Sequence, residues 1–225
     1  VSLIDENPYP GCLKNLTKIC RDNKDFTIVD GALFNKDLTR LISCHVTKGG
    51  TYNIPDTVNE ICCDAFRRCS MCAEIKIPDS VTKIGSGAFY ECLHLTAITI
   101  PASVTSIGPN PFSFCRNLTS IQVVKSNPAY MSDDGVLFDK NKTKIIAYPP
   151  GKSGSYTTPK TVTTVCFLAF CGCSTLKSVT INEGAKTIEK YAFYKCMNMK
   201  TVKLPKSIQI VDDDAIYKCQ SLKFV

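Results

Sequence analysis

The residues of this chain with the greatest chemical potential are its 14 cysteines, which accompany only two histidines. Thiolates bind zinc and act as nucleophiles, so the spacing of the cysteines bears on both kinds of chemistry. The densest group is Cys62, Cys63, Cys69 and Cys72, a spacing typical of a zinc site. The four thiols can bind one ion only if their side chains point to the same side of the chain. The direction of each side chain follows from a repeat in the sequence.

A second arrangement pairs Cys92 with His94, where the imidazole could activate the thiol as a nucleophile. Residues two apart in a bend point in different directions, so we predict that this pair is structural. The other histidine, His45, follows Cys44 and is predicted to lie in a surface loop. The acidic run 212–214 could hold a hard cation, but a solvated turn explains it equally well.

An interval of 23 residues organises the chain. The pattern Ile-Pro-x-Ser-Val-Thr-x-Ile-Gly-x-x-Ala-Phe-x-x-Cys occupies residues 77–92, and its apolar positions recur in step before and after it. A fixed period of this length is the signature of a solenoid, whose coils bury their apolar sides against neighbouring coils. We predict full repeats at residues 54–76, 77–99, 100–122, 158–180, 181–203 and 204–225.

Two longer segments interrupt the repeats and resemble each other. Residues 30–36 match residues 134–140 at an offset of 104. Each has an Asp-Gly turn and a polar tip, at residues 35–37 and 139–142, which predicts a hairpin. We therefore predict one solenoid domain over residues 1–225, a tandem duplication of about 12–122 and 115–225, with the hairpins stacked as wider coils in one continuous core.

Each coil is predicted to hold two short strands and a helical turn. Residues 95–100 alternate apolar and polar as a strand does, residues 104–107 are short and β-branched, and residues 88–92 have the three-residue apolar spacing of a helical turn. The predicted fold class is a right-handed leucine-rich-repeat solenoid, mainly β with short helical turns, two hairpin-bearing inserts and parallel strands on its concave side.

The motif at residues 77–92 resembles that of the BspA-like leucine-rich repeat family, and the resemblance covers nearly all of residues 12–225. Members of that family are surface proteins of anaerobic bacteria and some protozoan parasites. The resemblance implies a non-enzymatic, secreted or surface-anchored module that binds host or bacterial surface proteins. It brings no catalytic residue and no cofactor.

The register of the repeat assigns most thiols to the core. Coils lie about 4.7–4.9 Å apart, whereas the Cβ atoms of a disulfide approach to roughly 3.5–4.5 Å, so disulfides between stacked cysteines are unfavourable. Cys62 takes the turn position of Gly85, whereas Cys69 and Cys72 point to the core, so no zinc site is predicted. The thiols that could be free or paired are Cys20, Cys44, Cys62, Cys63, Cys166 and Cys171. A thiol-dependent enzyme or redox protein using Cys62, Cys63, Cys166 or Cys171 is one alternative to a binding module.

The net charge of +7 does not indicate a nucleic-acid partner, because the lysines are spread along the coils and no nucleic-acid-binding signature is present. Residues 186–223 hold eight Lys and four acidic residues, which predicts a solvated basic flank or a weak attraction to anionic surfaces. No apolar run reaches the roughly 20 residues that span a membrane. We expect a monomer located outside the cell or at its surface, with any signal or anchor outside these residues.

The candidate binding residues flank the buried apolar column of each strand and point outward on the concave face, because side chains alternate along a strand. They lack the aromatic and arginine anchors of tight interfaces, so we expect a broad contact of modest affinity with a protein or a glycan. The hairpin tips are the next choice, and a structural spacer is the non-binding alternative. The candidates are Glu74, Lys76, Ala97, Thr99, Ser120, Gln122, Ser178, Thr180, Thr201 and Lys203.

Overall fold

The computed structural model describes residues 23–44 and 49–223, so the predictions that concern Cys20 and His45 lie outside the described residues. Strands and turns make up this part of the chain. The strands are β1 (Phe26–Val29), β2 (Ala32–Asn35), β3 (Arg40–Cys44), β4 (Gly50–Asn53), β5 (Glu60–Ile61), β6 (Cys72–Lys76), β7 (Lys83–Ile84), β8 (Ala97–Ile100), β9 (Ser106–Ile107), β10 (Ser120–Val123), β11 (Tyr130–Asp133), β12 (Val136–Asp139), β13 (Lys144–Ala147), β14 (Gly154–Thr157), β15 (Thr164–Val165), β16 (Leu176–Thr180), β17 (Thr187–Ile188), β18 (Thr201–Lys203) and β19 (Ile210–Val211).

The coils stack through two rows of parallel strands, which confirms the leucine-rich-repeat solenoid. The longer strands β4, β6, β8, β10, β14, β16 and β18 form one row, which we call the strand face. The two-residue strands β5, β7, β9, β15, β17 and β19 form the opposite row. Partners in both rows lie one repeat apart, as Ile61 with Ile84 and Ile98 with Ile121 do. The apolar columns read from the sequence are therefore aligned from coil to coil.

The segments predicted as helical turns are stacked turns instead. Gly87 and Glu91 have φ angles of 61° and 57°, in the left-handed region, where a right-handed helical run cannot continue. Amide groups in this segment bond across to the next coil, as the Phe89 amide does to the Pro111 carbonyl at 2.9 Å. We call this side the turn face; it comprises residues 62–69, 85–92, 108–115, 166–173, 189–196 and 212–219. Its positive-φ residues are Asp64, Arg68, Gly87, Glu91, Asn110, Phe114, Leu168, Gly172, Tyr191, Lys195, Asp214 and Lys218.

Phenylalanine rings and thiols fill the centre of the solenoid in step with the coils. Phe66, Phe89 and Phe112 stack with centroids 5.3 Å apart at each step. The Cys92 thiol donates to the Phe66 carbonyl at 3.1 Å, and the Cys115 thiol donates to the Phe89 carbonyl at 2.9 Å. Cysteine therefore suits this column because it is small and apolar yet gives a buried carbonyl of the previous coil a donor.

The two inserts are three-stranded meanders, β1–β2–β3 and β11–β12–β13, each of which joins the opposite row through its third strand. Strand β12 divides the core, because Leu137 packs into the cluster of the first half while Val136 and Phe138 pack into that of the second. This corrects the expectation of one continuous core. The physical reason is the alternation of side chains along a strand that has a core on each side.

Candidate functional site

The structure places the predicted binding residues on the outer surface of the strand face. The buried column beneath them consists of Ile75, Ile98, Ile121, Val179 and Val202. Glu74, Lys76, Ala97, Thr99, Gln122 and Lys203 are exposed, and Ser120, Ser178, Thr180 and Thr201 are half-buried. The predicted alternation therefore positions all ten side chains outward.

Hydrogen bonds extend this row of side chains to strands that sequence reasoning missed. Thr51 on β4 donates to a carboxylate oxygen of Glu74 at 2.7 Å, and Ser178 donates to Ser155 on β14 at 2.7 Å. In register, Thr51 pairs with Glu74, and Ser155 pairs with Ser178. The sequence does contain a signal for β4 and β14. Tyr52 and Tyr156 match at the offset of 104, and they occupy the buried column of Ile75 and Val179.

The second insert interrupts the row of candidate residues. Within the described residues β10 pairs only with β8, and its other side meets the insert, where the Ile121 amide donates to the Gly135 carbonyl at 2.8 Å. The Val123 amide likewise donates to the Ser132 hydroxyl at 2.9 Å. The residues from Glu74 to Gln122 and those from Ser178 to Lys203 are therefore two separate groups on the strand face.

A groove of about 670 Å³ crosses the first of these groups. It lies where β6 and β8 are neighbours in separate sheets, joined at their beginning by the Thr96 amide and the Ala73 carbonyl at 3.4 Å. The exposed candidates of both strands line it, together with residues on either side. The residues that determine the polarity and charge of the groove are Thr51, Glu74, Lys76, Asp79, Thr99 and Val124. The groove offers hydroxyl groups and charges of both signs on a sheet surface.

The hairpin tips are built as turns. The Asn35 side-chain oxygen accepts from the amides of Thr39 and Arg40 at 2.9 and 2.8 Å. Asp139 does the same for the amides of Thr143 and Lys144 at 2.7 and 2.6 Å. The polar residues at these tips thus have a structural role in closing the turns.

The twelve cysteines that the structure describes are present as thiols. Cys62 packs with Phe26, Leu33 and Ile42, whereas Cys69 and Cys72 lie in the core of the first half, where their sulfur atoms are 3.4 Å apart. The dense cysteine group is thus divided between two clusters. Among residues 23–44 and 49–223, no three His, Cys, Asp or Glu side chains converge as a metal site would require.

Cys92 and His94 are not arranged as a nucleophile and base. The Cys92 thiol is buried and donates to the Phe66 carbonyl, whereas the His94 ring is exposed and contacts the Ser70 carbonyl through Nδ1. Burial raises the pKa of the Cys92 thiol. Asp212 accepts a hydrogen bond from the Lys190 amide at 3.2 Å, so this acidic residue supports a turn.

Burial also affects three of the thiols that the sequence left unassigned. It raises the pKa of Cys62 to about 11, that of Cys166 to about 12 and that of Cys171 to about 11. A thiolate is the reactive form of cysteine, so these thiols are almost entirely neutral, and react slowly, near pH 8.

We therefore expect Cys62, Cys166 and Cys171 to react with iodoacetamide at pH 8 more than about 100-fold slower in the folded protein than in urea. Their rates should still be increasing with pH at pH 10, above the pKa of free cysteine, where the rate in urea has levelled off. Peptide mapping by mass spectrometry after timed alkylation measures each site separately. One or two thiols that react faster than free cysteine at pH 7 would instead favour a thiol-dependent enzyme.

The sequence profile described as the BspA type leucine rich repeat region matches in six copies, over residues 43–149 and 147–225. The chain belongs to the BspA-type leucine-rich-repeat family. No curated protein matches it.

Solved structures with the same fold include one bacterial cell-surface protein. A leucine-rich cell surface protein from Faecalibacterium prausnitzii is 28% identical, with a TM-score of 0.67, and the match covers 80% of this chain and 53% of that one. This BspA-type chain thus spans about half of that protein. A leucine-rich repeat protein from T. pallidum is 21% identical, with a TM-score of 0.54, and the match covers 92% and 91% of the two chains; this likeness shows the fold. In the described part of the chain, no helix is long and apolar enough to cross a membrane.

Proposed function

We propose that this BspA-type chain is a non-enzymatic module of a secreted or cell-surface protein that binds a surface protein or a glycan through its strand face. The observation that carries the proposal is the groove between β6 and β8, which lies within the row of outward candidates. A volume of about 670 Å³ is within the range of ligand sites, about 300–1,000 Å³. The cell-surface relative from F. prausnitzii supports the location.

The chemistry of the groove favours a polar partner held with modest affinity. Glu74, Lys76 and Asp79 supply charges of both signs, and Thr51 and Thr99 supply hydroxyl groups. The anchors that dominate tight interfaces are tryptophan, tyrosine and arginine, and the chain has no tryptophan at all. We therefore expect many weak hydrogen bonds and steering by charge, in place of one buried anchor.

The absence of catalysis is part of this proposal. It is supported by the raised thiol pKa values of Cys62, Cys166 and Cys171 and by the separation of Cys92 from His94. A structural spacer that only extends another domain is the second candidate function. The observation that favours it is the small, polar character of the second group, from Ser178 to Lys203.

The test is capture of partners from host-matrix and bacterial-surface extracts by the immobilised chain. Exchanging the groove charges, as Glu74→Lys with Lys76→Glu, keeps the net charge and should reduce capture at least about 10-fold, because opposite charges then face the partner. The matched control exchanges Lys186→Glu with Asp213→Lys, beside β17 and β19, and should leave capture unchanged.

Two outcomes contradict the assignment. Capture that survives charge exchange at Glu74 and Lys76, and also survives Lys203→Glu, would place the binding site away from the strand face. Capture of nothing by this chain or by a longer array of the same repeats would favour the spacer.

A further inference from the structure

The turn that leads into β6 carries a cysteine at each end. Cys69 and Cys72 enclose the turn residues 70–71, so the two cysteines hold the first and fourth positions of one turn. The Cα atoms at those positions of a β-turn lie within about 7 Å, and those of a disulfide lie roughly 4.4–6.8 Å apart. The two sulfur atoms are already in contact at 3.4 Å. We call Cys69 and Cys72 the corner pair.

The second cysteine of the corner pair departs from the repeat. Cys69 holds the position of Cys92, but Cys72 stands where the next two coils have Leu95 and Leu118. Cys72 is as deeply buried as Leu95, at 1% and 0% exposure. A cysteine fills less of the core than a leucine does, so packing alone does not favour it at this position. What the exchange adds is a second sulfur atom beside the first.

The stacked cysteines of the later coils are held differently. The Cys92 thiol donates to the Phe66 carbonyl at 3.1 Å, and the Cys115 thiol donates to the Phe89 carbonyl at 2.9 Å. These cysteines repeat at the spacing of the coils, which is too wide for a disulfide unless one coil moves toward the next. The corner pair lies within one coil, so its sulfur atoms can reach the roughly 2.05 Å of a disulfide by rotation of the two side chains.

We propose that Cys69 and Cys72 form a disulfide that closes the corner between the turn face and β6. The oxidant is a small-molecule or protein disulfide. One thiolate of the pair attacks it, which gives a mixed disulfide and releases one thiol of the oxidant. The second thiolate then displaces the other half, so the two electrons and two protons of the pair end on two released thiols. Disulfides persist in secreted and surface proteins, so the proposal takes its oxidising setting from the proposed location.

Burial determines when the bond forms. Cys69 and Cys72 are 2% and 1% exposed, and the hydrogen bond with Cys69, together with burial, raises the pKa of Cys72. Disulfide exchange needs an accessible thiolate, so it is slow in the folded chain. We therefore expect the bond to form while the chain folds. The same burial then protects the finished disulfide from reductants.

The disulfide fixes the start of the strand that borders the groove on the strand face. β6 begins at Cys72, and the residues from Ala73 to Lys76 line that groove. A crosslink restricts the unfolded chain more than the folded one, so the oxidised chain should be the more stable form. We expect its Tm to exceed that of the reduced chain by about 2–4 °C, a small shift because the closed loop is short.

The experiment produces the whole chain by export to a bacterial periplasm, where thiols are oxidised during folding, and in parallel in the reducing cytoplasm. Folded monomer is collected in N-ethylmaleimide and digested with trypsin. Cleavage after Arg68 and Lys76 leaves both thiols in the peptide 69–76, which is lighter by two hydrogen atoms when it is oxidised and carries two labels when it is reduced. In the exported chain the oxidised peptide should be at least about 10-fold more abundant than a crosslink between stacked cysteines such as Cys69 and Cys92.

Cys72→Leu is the matched control, because it restores the residue of the next two coils. Its Tm should be the same from both compartments, and so should that of Cys72→Ser, which keeps the size of the side chain. A folded, exported parent chain whose peptide 69–76 remains reduced would overturn the proposal, as would folding in the cytoplasm alone. Preferred pairing of Cys69 with Cys92, or a Tm difference that persists in Cys72→Leu, would assign the oxidation to other thiols and also overturn it. Partner capture is not measured, so failure here leaves the strand-face proposal standing.

Discussion

Replacing Phe89 with alanine is expected to lower the free energy of unfolding by about 3–5 kcal/mol. The ring is completely buried and lies between Phe66 and Phe112, whose centroids are each 5.3 Å away. Backbone hydrogen bonds in the opposite row and on the turn face hold these coils at a fixed spacing, so the neighbouring rings cannot collapse into the cavity. Urea denaturation followed by circular dichroism measures the loss.

The control is Phe167→Ala, which removes the same ring from a site that is 37% exposed. It should cost less than about 1 kcal/mol, as surface substitutions usually do. Equal losses for the two variants would mean that the phenylalanine column does not carry the stability of the coil stack.

Gly85→Ala is expected to destabilise the fold by about 3 kcal/mol, the upper part of the range for overpacking. A Cβ atom at Gly85 would lie 2.4 Å from the Cys63 amide nitrogen and 2.6 Å from the Cys62 carbonyl carbon. Both atoms are backbone of the preceding coil, so the contact is relieved only by separating the coils. Denaturation midpoints and the cooperativity of the transition measure this effect together.

Gly49→Ala is the matched glycine substitution. The nearest atom to its added Cβ is the Met71 carbonyl oxygen at 3.7 Å, an ordinary contact. The free energy of unfolding of the Gly49→Ala variant should differ from that of the parent chain by less than about 1 kcal/mol. If Gly85→Ala proved as mild as Gly49→Ala, the close approach of the coils at Gly85 would be contradicted.

The repeat predicts whatever depends on stacking one coil on the next. Phe89 lies on Phe66 because both hold one position of a 23-residue period, and the exposure of Glu74 and Lys76 follows from alternation around Ile75. The prediction of a helical turn was wrong because a three-residue apolar spacing does not reveal the sign of the backbone φ angles. Left-handed geometry at Gly87 agrees with its residue type, but at Leu168 and Tyr191 it is imposed by the neighbouring coils.

Contacts between the two halves of the chain are not predicted by the repeat. Phe114 and Gly172 are 58 residues apart, because the second insert intervenes, and this is not a multiple of the period. The contact between Phe114 and Gly172 therefore had no signature in the aligned columns. The same insert divides the strand face, since Gly135 and Ser132 take the place beside β10 that the next strand would occupy.

Hydrogen exchange in the presence of a captured partner tests the strand-face proposal most directly. The amides of residues 73–77 and 96–100, which border the groove between β6 and β8, are expected to exchange more slowly when the partner saturates the chain. Amides of the opposite row, such as those of Lys83 and Ile84, should be unchanged. Protection confined to the hairpin tips at residues 35–37 and 139–142, or to the turn face, would contradict the proposal.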